Sequence, residues 1–270
     1  MLIKIGITGH TGSLGKVIIK SKFTCKYSFF KGDVRSKDKI SKWIKNGNFD
    51  AIIHLAAIVP IRTVNKDKKK AYEVNYVATK NITDEVKKHK IKWFFFASTS
   101  HVYPSRVKKI SEKSKTDPIS YYGKTKLLAE KYIIKKLRKS DSLYCIGRIF
   151  STANKNQKNN YLIPDLKKKI KKSKGKVILH NLNHYRDFIT MQDISEIIFY
   201  LYKKNFKGII NIASGKATYL KNIALHISKH YKKDIMFEDN IKETYLVGNI
   251  NKLKKIYKKN LIINFDKLIF

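Results

Sequence analysis

The sequence is short of the residues that several function classes need. It has two cysteines, Cys25 and Cys145, which exclude a disulfide framework and a four-cysteine zinc site. Its four prolines, Pro60, Pro104, Pro118 and Pro164, form no proline-rich linker, and each falls where a loop or a helix start is expected. Acids number 20 against 59 Lys and Arg, and only six of those 59 are arginine. No apolar run approaches the ~18 residues of a membrane span. The opening stretch Met1 to Ile7 is a strand running into a glycine-rich turn and lacks the shape of a signal peptide. No G-x-S-x-G turn is present, so a serine hydrolase of that type is excluded. The expectation is a reduced, cytoplasmic protein with no membrane partner.

What is present supports a packed core. Of 270 residues, 43% are apolar and 12% aromatic, enough for one large domain or a sheet domain with a smaller lobe. The formal net charge of +39 suggests nucleic acid, because lysine and arginine neutralise phosphates. Lysine, however, is spread along the whole chain beside abundant Ile, Asn, Tyr and Phe, as a global compositional bias would produce. Arginine, the residue that forks onto phosphates and guanines, is scarce. The runs around Lys66–Lys70 and Lys167–Lys176 are therefore expected to be solvated faces, with no nucleic-acid partner. A positive field of this size still draws in small anionic substrates.

Apolar strands alternate with helical patterns. Strands are expected over 2–8, 27–30, 51–57, 92–97, 143–149 and 208–213, with helices from Ser13 to about Lys20 and around 36–46, 68–89 and 120–138. Ile194, Ile197, Ile198 and Leu201, and then Leu220, Ile223, Ala224 and Ile227, have helical spacing. Asn154 to Asn160 is polar and irregular. This alternation predicts an α/β fold with a parallel sheet covered on both faces.

Two motifs carry chemistry. Thr8-Gly9-His10-Thr11-Gly12-Ser13-Leu14-Gly15 follows the first strand and opens a helix. Its glycines permit a tight turn, close approach of backbone to a pyrophosphate and close helix packing, and the helix start offers free N–H groups. Asp33, 18 positions beyond Gly15, suits the adenosine ribose hydroxyls or the adenine amine. Lys31 and Arg35 flank it, and either suits a 2′-phosphate, so NAD and NADP stay equally open. The second motif is Tyr122-x-x-x-Lys126. Five such pairs occur in this lysine-rich chain, so spacing alone says little. Only this one follows Pro118 on a helix whose upstream strand ends at Ser98-Thr99. Residues four apart share a helix face, an ammonium beside a phenol favours the phenolate, and a Thr99 hydroxyl would orient the oxygen whose proton Tyr122 moves.

With these residues in place, the chain resembles the extended short-chain dehydrogenase/reductases of the NAD-dependent epimerase/dehydratase family, whose usual substrates are nucleotide sugars. Thr8-Gly9-x-x-Gly12-x-x-Gly15 resembles the cofactor loop. Gly32-Asp33-Val34 resembles the adenine-contacting segment, and His54-Leu55-Ala56-Ala57 the strand end beside the cofactor. Asn75-Tyr76-Val77-Ala78-Thr79 resembles a helix with a structural Asn, Ser98-Thr99-Ser100-His101-Val102-Tyr103 the stretch supplying the catalytic Ser or Thr, and Tyr122-Gly123-x-Thr125-Lys126 the catalytic helix. Arg186-Asp187-Phe188 resembles a segment whose Arg meets the substrate's phosphates, and Asn211-Ile212-Ala213-Ser214-Gly215 a late strand and turn.

The resemblance implies a Rossmann-type doubly wound parallel sheet with a small C-terminal substrate-binding lobe. Residues 1–152 and 187–213 would form the NAD(P)-binding domain, and 153–186 with 214–270 the lobe. Thr99, Tyr122 and Lys126 would be catalytic. Gly9, Thr11, Gly12, Ser13, Leu14, Gly15, Asp33, Val34, Leu55, Ala56, Ala57, Tyr122 and Lys126 would bind the cofactor, NAD or NADP. Ser100, His101 and Arg186 would meet a nucleotide-sugar substrate.

Departures sharpen this. Ser100 and His101 stand where sugar dehydratases carry an Asp-Glu pair, which disfavours a 4,6-dehydratase. Arg148 to Asn154 replaces an Asn and Tyr-Gly-Pro run. Only 39 positions separate Gly15 from His54, so one strand-helix unit is shortened. Epimerase and 4-ketoreductase, in a polysaccharide-precursor setting, share the machinery and both stay open. The alternative is a non-catalytic cofactor-sensing or nucleic-acid-binding protein on the same fold. Family members often pair through the helices at 68–89 and 120–138, so a homodimer is implied. No metal is expected: His226 and His230 lack a third ligand, and Cys145 sits in a core strand.

Overall fold

The computed structural model describes residues 2–21, 23–59, 61–106, 108–154 and 161–270. Pro60, and all of the irregular 154–160 stretch except Asn154, lie outside the described residues.

Six parallel strands form the central sheet. In chain order these are β1 (Lys4–Thr8), β2 (Lys26–Phe29), β3 (Ala51–His54), β4 (Trp93–Thr99), β5 (Leu143–Ile149) and the strand Gly208–Ile212. Across the sheet the order is Gly208–Ile212, β5, β4, β3, β1, β2. A sheet buried on both faces needs near-continuous apolar strands, and Trp93-Phe94-Phe95-Phe96 shows why. Trp93 and Phe95 face a core shared with Ile5, Ile53, Ile194 and Ile198. Phe94 and Phe96 face one shared with Ile40, Ile44, Ile82 and Ile133. Helices Lys37–Gly47, Ala78–Lys88 and Tyr121–Leu137 supply the second face, and Met191–Lys203 the first.

β1 lies between β2 and β3. The chain reverses its winding there, so the carboxyl ends of these strands open into the crevice where such sheets bind ligands. A single strand-helix unit stands between β1 and β3, as the short Gly15–His54 interval implies.

The long helical stretch at 68–88 is interrupted. Lys68–Tyr72 and Ala78–Lys88 are α-helical, and Glu73–Val77 between them is a π turn. The wider turn carries Asn75 fully inside. Helix Tyr121–Leu137 starts at Ser120, whose hydroxyl accepts the Gly123 N–H at 3.1 Å. Gly123 is required by a close approach: a Cβ there would collide with the His101 carbonyl.

A smaller cluster built from Ile163, Leu166, Leu179, Phe188, Leu220 and Ile227 underlies the helices Leu162–Lys171 and Leu220–Tyr231. Beside it, Thr218–Tyr219, His184–Arg186 and Thr244–Leu246 form a three-stranded sheet. Leu246, Leu253, Tyr257 and Leu261, which the sequence assigns to the lobe, pack instead on the core of the main sheet. Asp187 ties these parts together. Its carboxylate accepts the Ser214 N–H (2.8 Å) and hydroxyl (2.6 Å), the Gly215 N–H (2.9 Å) and the Gly248 N–H (3.1 Å).

Candidate active site

The crevice over β1, β2 and β3 is a cleft of about 590 Å³. Gly9, Thr11, Gly12, Asp33, Val34, Leu55, Ala56 and Ala57 line it, as the sequence implies. Gly9 has φ +74°, and a Cβ there would meet the Ala56 backbone at 2.6 Å, so loop and strand end touch directly. Gly12 begins the helix Ser13–Ile19, with its N–H on the Gly9 carbonyl at 3.1 Å. Ser13, Leu14 and Gly15 form the first turn of that helix and are not among the lining residues. Lys31 and Gly32, which flank Asp33 in the motif, line the cleft too, and so do His10, Phe30 and Val74, which motif reasoning did not single out as contacts. Phe30 was findable as the residue that continues β2 toward Asp33; Val74 was not, because a distant helix delivers it.

Asp33 is exposed on the cleft wall. Arg35 grips it with Nε at 3.1 and 2.9 Å, Nη2 at 2.6 Å and its own N–H at 2.9 Å. These bonds hold the carboxyl down at about 2. The remaining Arg35 nitrogen donates to Glu73 at 3.0 Å.

A buried hydrogen-bonded chain runs from the loop toward the helix Tyr121–Leu137. Thr79 donates its hydroxyl to the Asn75 carbonyl (2.9 Å), so it accepts from His54 Nε2 (2.9 Å). His54 Nδ1 is then the acceptor for the Thr8 hydroxyl at 2.6 Å. Burial, reinforced by the Lys126 charge, lowers the His54 pKa to about 3, so this imidazole is neutral. The Asn75 side chain pairs with both backbone groups of Ile58 and donates to Thr125 at 3.2 Å, whose hydroxyl donates to the Tyr122 carbonyl at 2.8 Å. The structural role implied for Asn75 is thus visible bond by bond.

Thr99 ends β4 and is buried, its Oγ1 accepting the His101 N–H at 3.2 Å. The Thr99 hydroxyl is near enough to the Tyr122 phenol to pull its pKa down in part. The Tyr122 ring packs with Val64, Ala71, Ile58 and Val59, immediately beyond the cleft-lining Ala57. Lys126 is 2% exposed, with Nζ 4.0 Å from the centroid of the Phe96 ring. No acceptor for that ammonium occurs among the described residues. Burial lowers its pKa to about 7, with Glu130 opposing. Thr99, Tyr122 and Lys126 are not among the residues lining the cleft itself.

One electrostatic expectation fails. The spacing predicts that Lys126 lowers the Tyr122 pKa, but the phenol is raised: desolvation dominates, and the neighbouring Thr99 hydroxyl only partly offsets it. At neutral pH Tyr122 is a protonated acid.

His101 stands edge-on to the Tyr122 ring, centroids 6.0 Å apart. Burial and the nearby Arg186 charge lower its pKa to about 4. Ser100 is buried beside it. Arg186 donates from Nη1 to the Tyr185 carbonyl (2.8 Å) and the Thr244 hydroxyl (2.9 Å) and has no acid partner among the described residues. Burial lowers its pKa to about 10, leaving a cation in need of an anion. Arg148, by contrast, faces inward. It donates to Glu130 (Nη2 at 2.6 Å) and to Tyr103 (2.7 Å), and Ser98 also donates to Glu130. Arg148, which opens that departing stretch, thus forms a buried ion pair with Glu130.

This fold and cleft define a dinucleotide-binding α/β protein of Rossmann type. Three residues suit such a group on structural grounds: Gly9 and Gly12, where the loop turns tightly, and Lys126, whose buried ammonium lacks an acceptor. Residues 16–213 match the NAD dependent epimerase/dehydratase family, and the chain belongs to that family. A UDP-glucose epimerase from Bacillus subtilis, described as uncharacterized, is 31% identical over 65% of this chain and 57% of its own. A bifunctional UDP-glucose and UDP-xylose 4-epimerase from Pisum sativum is 29% identical over 46% of this chain and 35% of its own. The chain thus spans about a third to just over half of these two relatives. The fold matches RMD from Pseudomonas aeruginosa, solved with NADPH, with a TM-score of 0.88 at 17% identity over 99% of this chain and 96% of that one. Among the described residues, no helix is long and apolar enough to cross a membrane, and no group of His, Cys, Asp and Glu could hold a metal ion.

Proposed function

We propose that the protein reduces a 4-keto nucleotide sugar in an NAD(P)H-dependent reaction. The observation that carries this reading is the burial of Thr99 at the end of β4 together with Tyr122 and Lys126 one turn apart on the helix Tyr121–Leu137. A protonated phenol is an acid, which suits the reductive direction. When bound, the dinucleotide supplies the hydride. Thr99 orients the substrate oxygen by hydrogen bonding, and Tyr122 delivers its proton to that oxygen as negative charge develops there. Lys126 offers its N–H donors to the cofactor's ribose hydroxyls. Arg186 binds the substrate's diphosphate, and Ser100 and His101 border the sugar. The relatives named as UDP-sugar epimerases favour a second reading, in which the same residues remove and return the hydrogen within one turnover with no net cofactor use.

The test is incubation with UDP-, GDP-, CDP- and dTDP-sugars and their 4-keto forms, following nicotinamide absorbance beside product analysis. Net NAD(P)H consumption supports the reductase, and isomerised sugar without it supports the epimerase. No turnover, coupled to tight DNA binding with a steep salt dependence, would instead support the non-catalytic alternative.

A further inference from the structure

We propose that the adenosine end of the cleft is a 2′-phosphate site, and that Lys31 makes the protein select NADP(H) over NAD(H). This rests on the reading of the cleft as a dinucleotide site. In sheets of this kind, the residue that meets the adenosine ribose comes just after the strand beside β1. An acid there holds the ribose hydroxyls and repels a phosphate, whereas a cation accommodates the phosphate. β2 is that neighbouring strand, and it ends at Phe29. Phe30 extends the pairing by one step, its N–H on the Ile7 carbonyl at 2.9 Å. Lys31 follows directly and lines the cleft.

Asp33 is the one acid among the described lining residues, and a ribose must compete for it with Arg35. Both of its oxygens are engaged by Arg35: Oδ1 by the backbone N–H (2.9 Å) and Nε (3.1 Å), Oδ2 by Nε (2.9 Å) and Nη2 (2.6 Å). The pair also removes Arg35 as a phosphate ligand, since its remaining nitrogen is on Glu73 at 3.0 Å. Lys31 is exposed and enters no hydrogen bond or ion pair among the described residues. Of the two flanking cations, one is bound to the acid between them and the other is free on the cleft wall.

A charge-assisted bond of ammonium to phosphate corresponds to about a ten- to hundredfold preference. Binding of NADPH and NADH is measured by nicotinamide fluorescence, and displacement by 2′,5′-ADP and 5′-AMP, on the full chain, on Lys31→Ala and on Lys31→Glu. The expected result is NADPH tighter than NADH by that factor, with 2′,5′-ADP displacing better than 5′-AMP. Lys31→Ala should erase the difference while leaving NADH within about threefold, and Lys31→Glu should reverse it. Lys31 is exposed, so neither variant threatens folding, which circular dichroism checks. Equal or tighter NADH binding by the wild type overturns the proposal. So does a preference that survives Lys31→Ala and is lost in Arg35→Ala. Binding of neither dinucleotide removes the functional reading together with this site, whereas binding of NADH alone removes only the phosphate site.

Discussion

Lowering the pH from 7 to 5 should destabilise this protein through two histidines that the fold keeps neutral. His54 is folded with a pKa of about 3 and His101 with one of about 4. In the unfolded chain both return to about 6.5. Below that value the unfolded state binds protons that the folded state refuses, so stability falls as pH falls, and it is fully present only above it. Each group costs about 1.4 kcal/mol per pH unit once below 6.5, so a completely buried imidazole costs about 2 kcal/mol between pH 7 and 5. His54 carries that amount, and the half-buried His101 less. A total of about 3 kcal/mol is a large share of the 5–15 kcal/mol typical of a folded chain. Urea unfolding at half-unit pH steps measures it, with the slope m checked for constancy. His54→Phe, packed between Phe94 and Phe96, should flatten the dependence. A stability that stays level from pH 7 to 5, or a His54 NMR resonance that titrates near 6.5, would refute the reasoning.

Tyr122→Phe should lower turnover by about 10²–10⁴, the range for losing a general acid, and leave dinucleotide binding intact by fluorescence. Thr99→Val should lower kcat about tenfold or more with cofactor affinity unchanged, while Thr99→Ser retains most activity, read from initial rates. Gly123→Ala forces a methyl into the His101 carbonyl. It should cost about 1–3 kcal/mol in chemical denaturation, and an unchanged midpoint would argue against the tight approach. Asp187→Asn strands at least one of its N–H donors and should cost about 1–3 kcal/mol by the same measurement.

The sheet was readable because strands buried on both faces need unbroken apolar runs, and Ala51–His54 and Trp93–Phe96 supply them. The helix Tyr121–Leu137 was readable from Pro118 and from its place between two buried apolar strands. The cofactor loop was readable because its glycines follow a strand. The rest depends on tertiary contacts. Nothing local in Glu73-Val74-Asn75-Tyr76-Val77 announces a π turn. Arg148 and Glu130 lie 18 positions apart, and only the packing of β5 on the helix joins them. The raised Tyr122 pKa reflects burial, which outweighs an i,i+4 neighbour that spacing alone would favour. Arg35 turning onto Asp33 and Glu73 rather than toward the cleft likewise depends on where Glu73 is delivered.

Asp187 fixes more than stability. It sits one residue from the unpaired Arg186 cation and fastens the strands of the smaller lobe to the turn at 214–215 and to Gly248. Displacement in a rotation grows with distance from the pivot. If the lobe swings about this knot, its outlying helices sweep the widest arc while Arg186 barely travels. The Arg186 cation therefore keeps its bearing on His101 through such a swing.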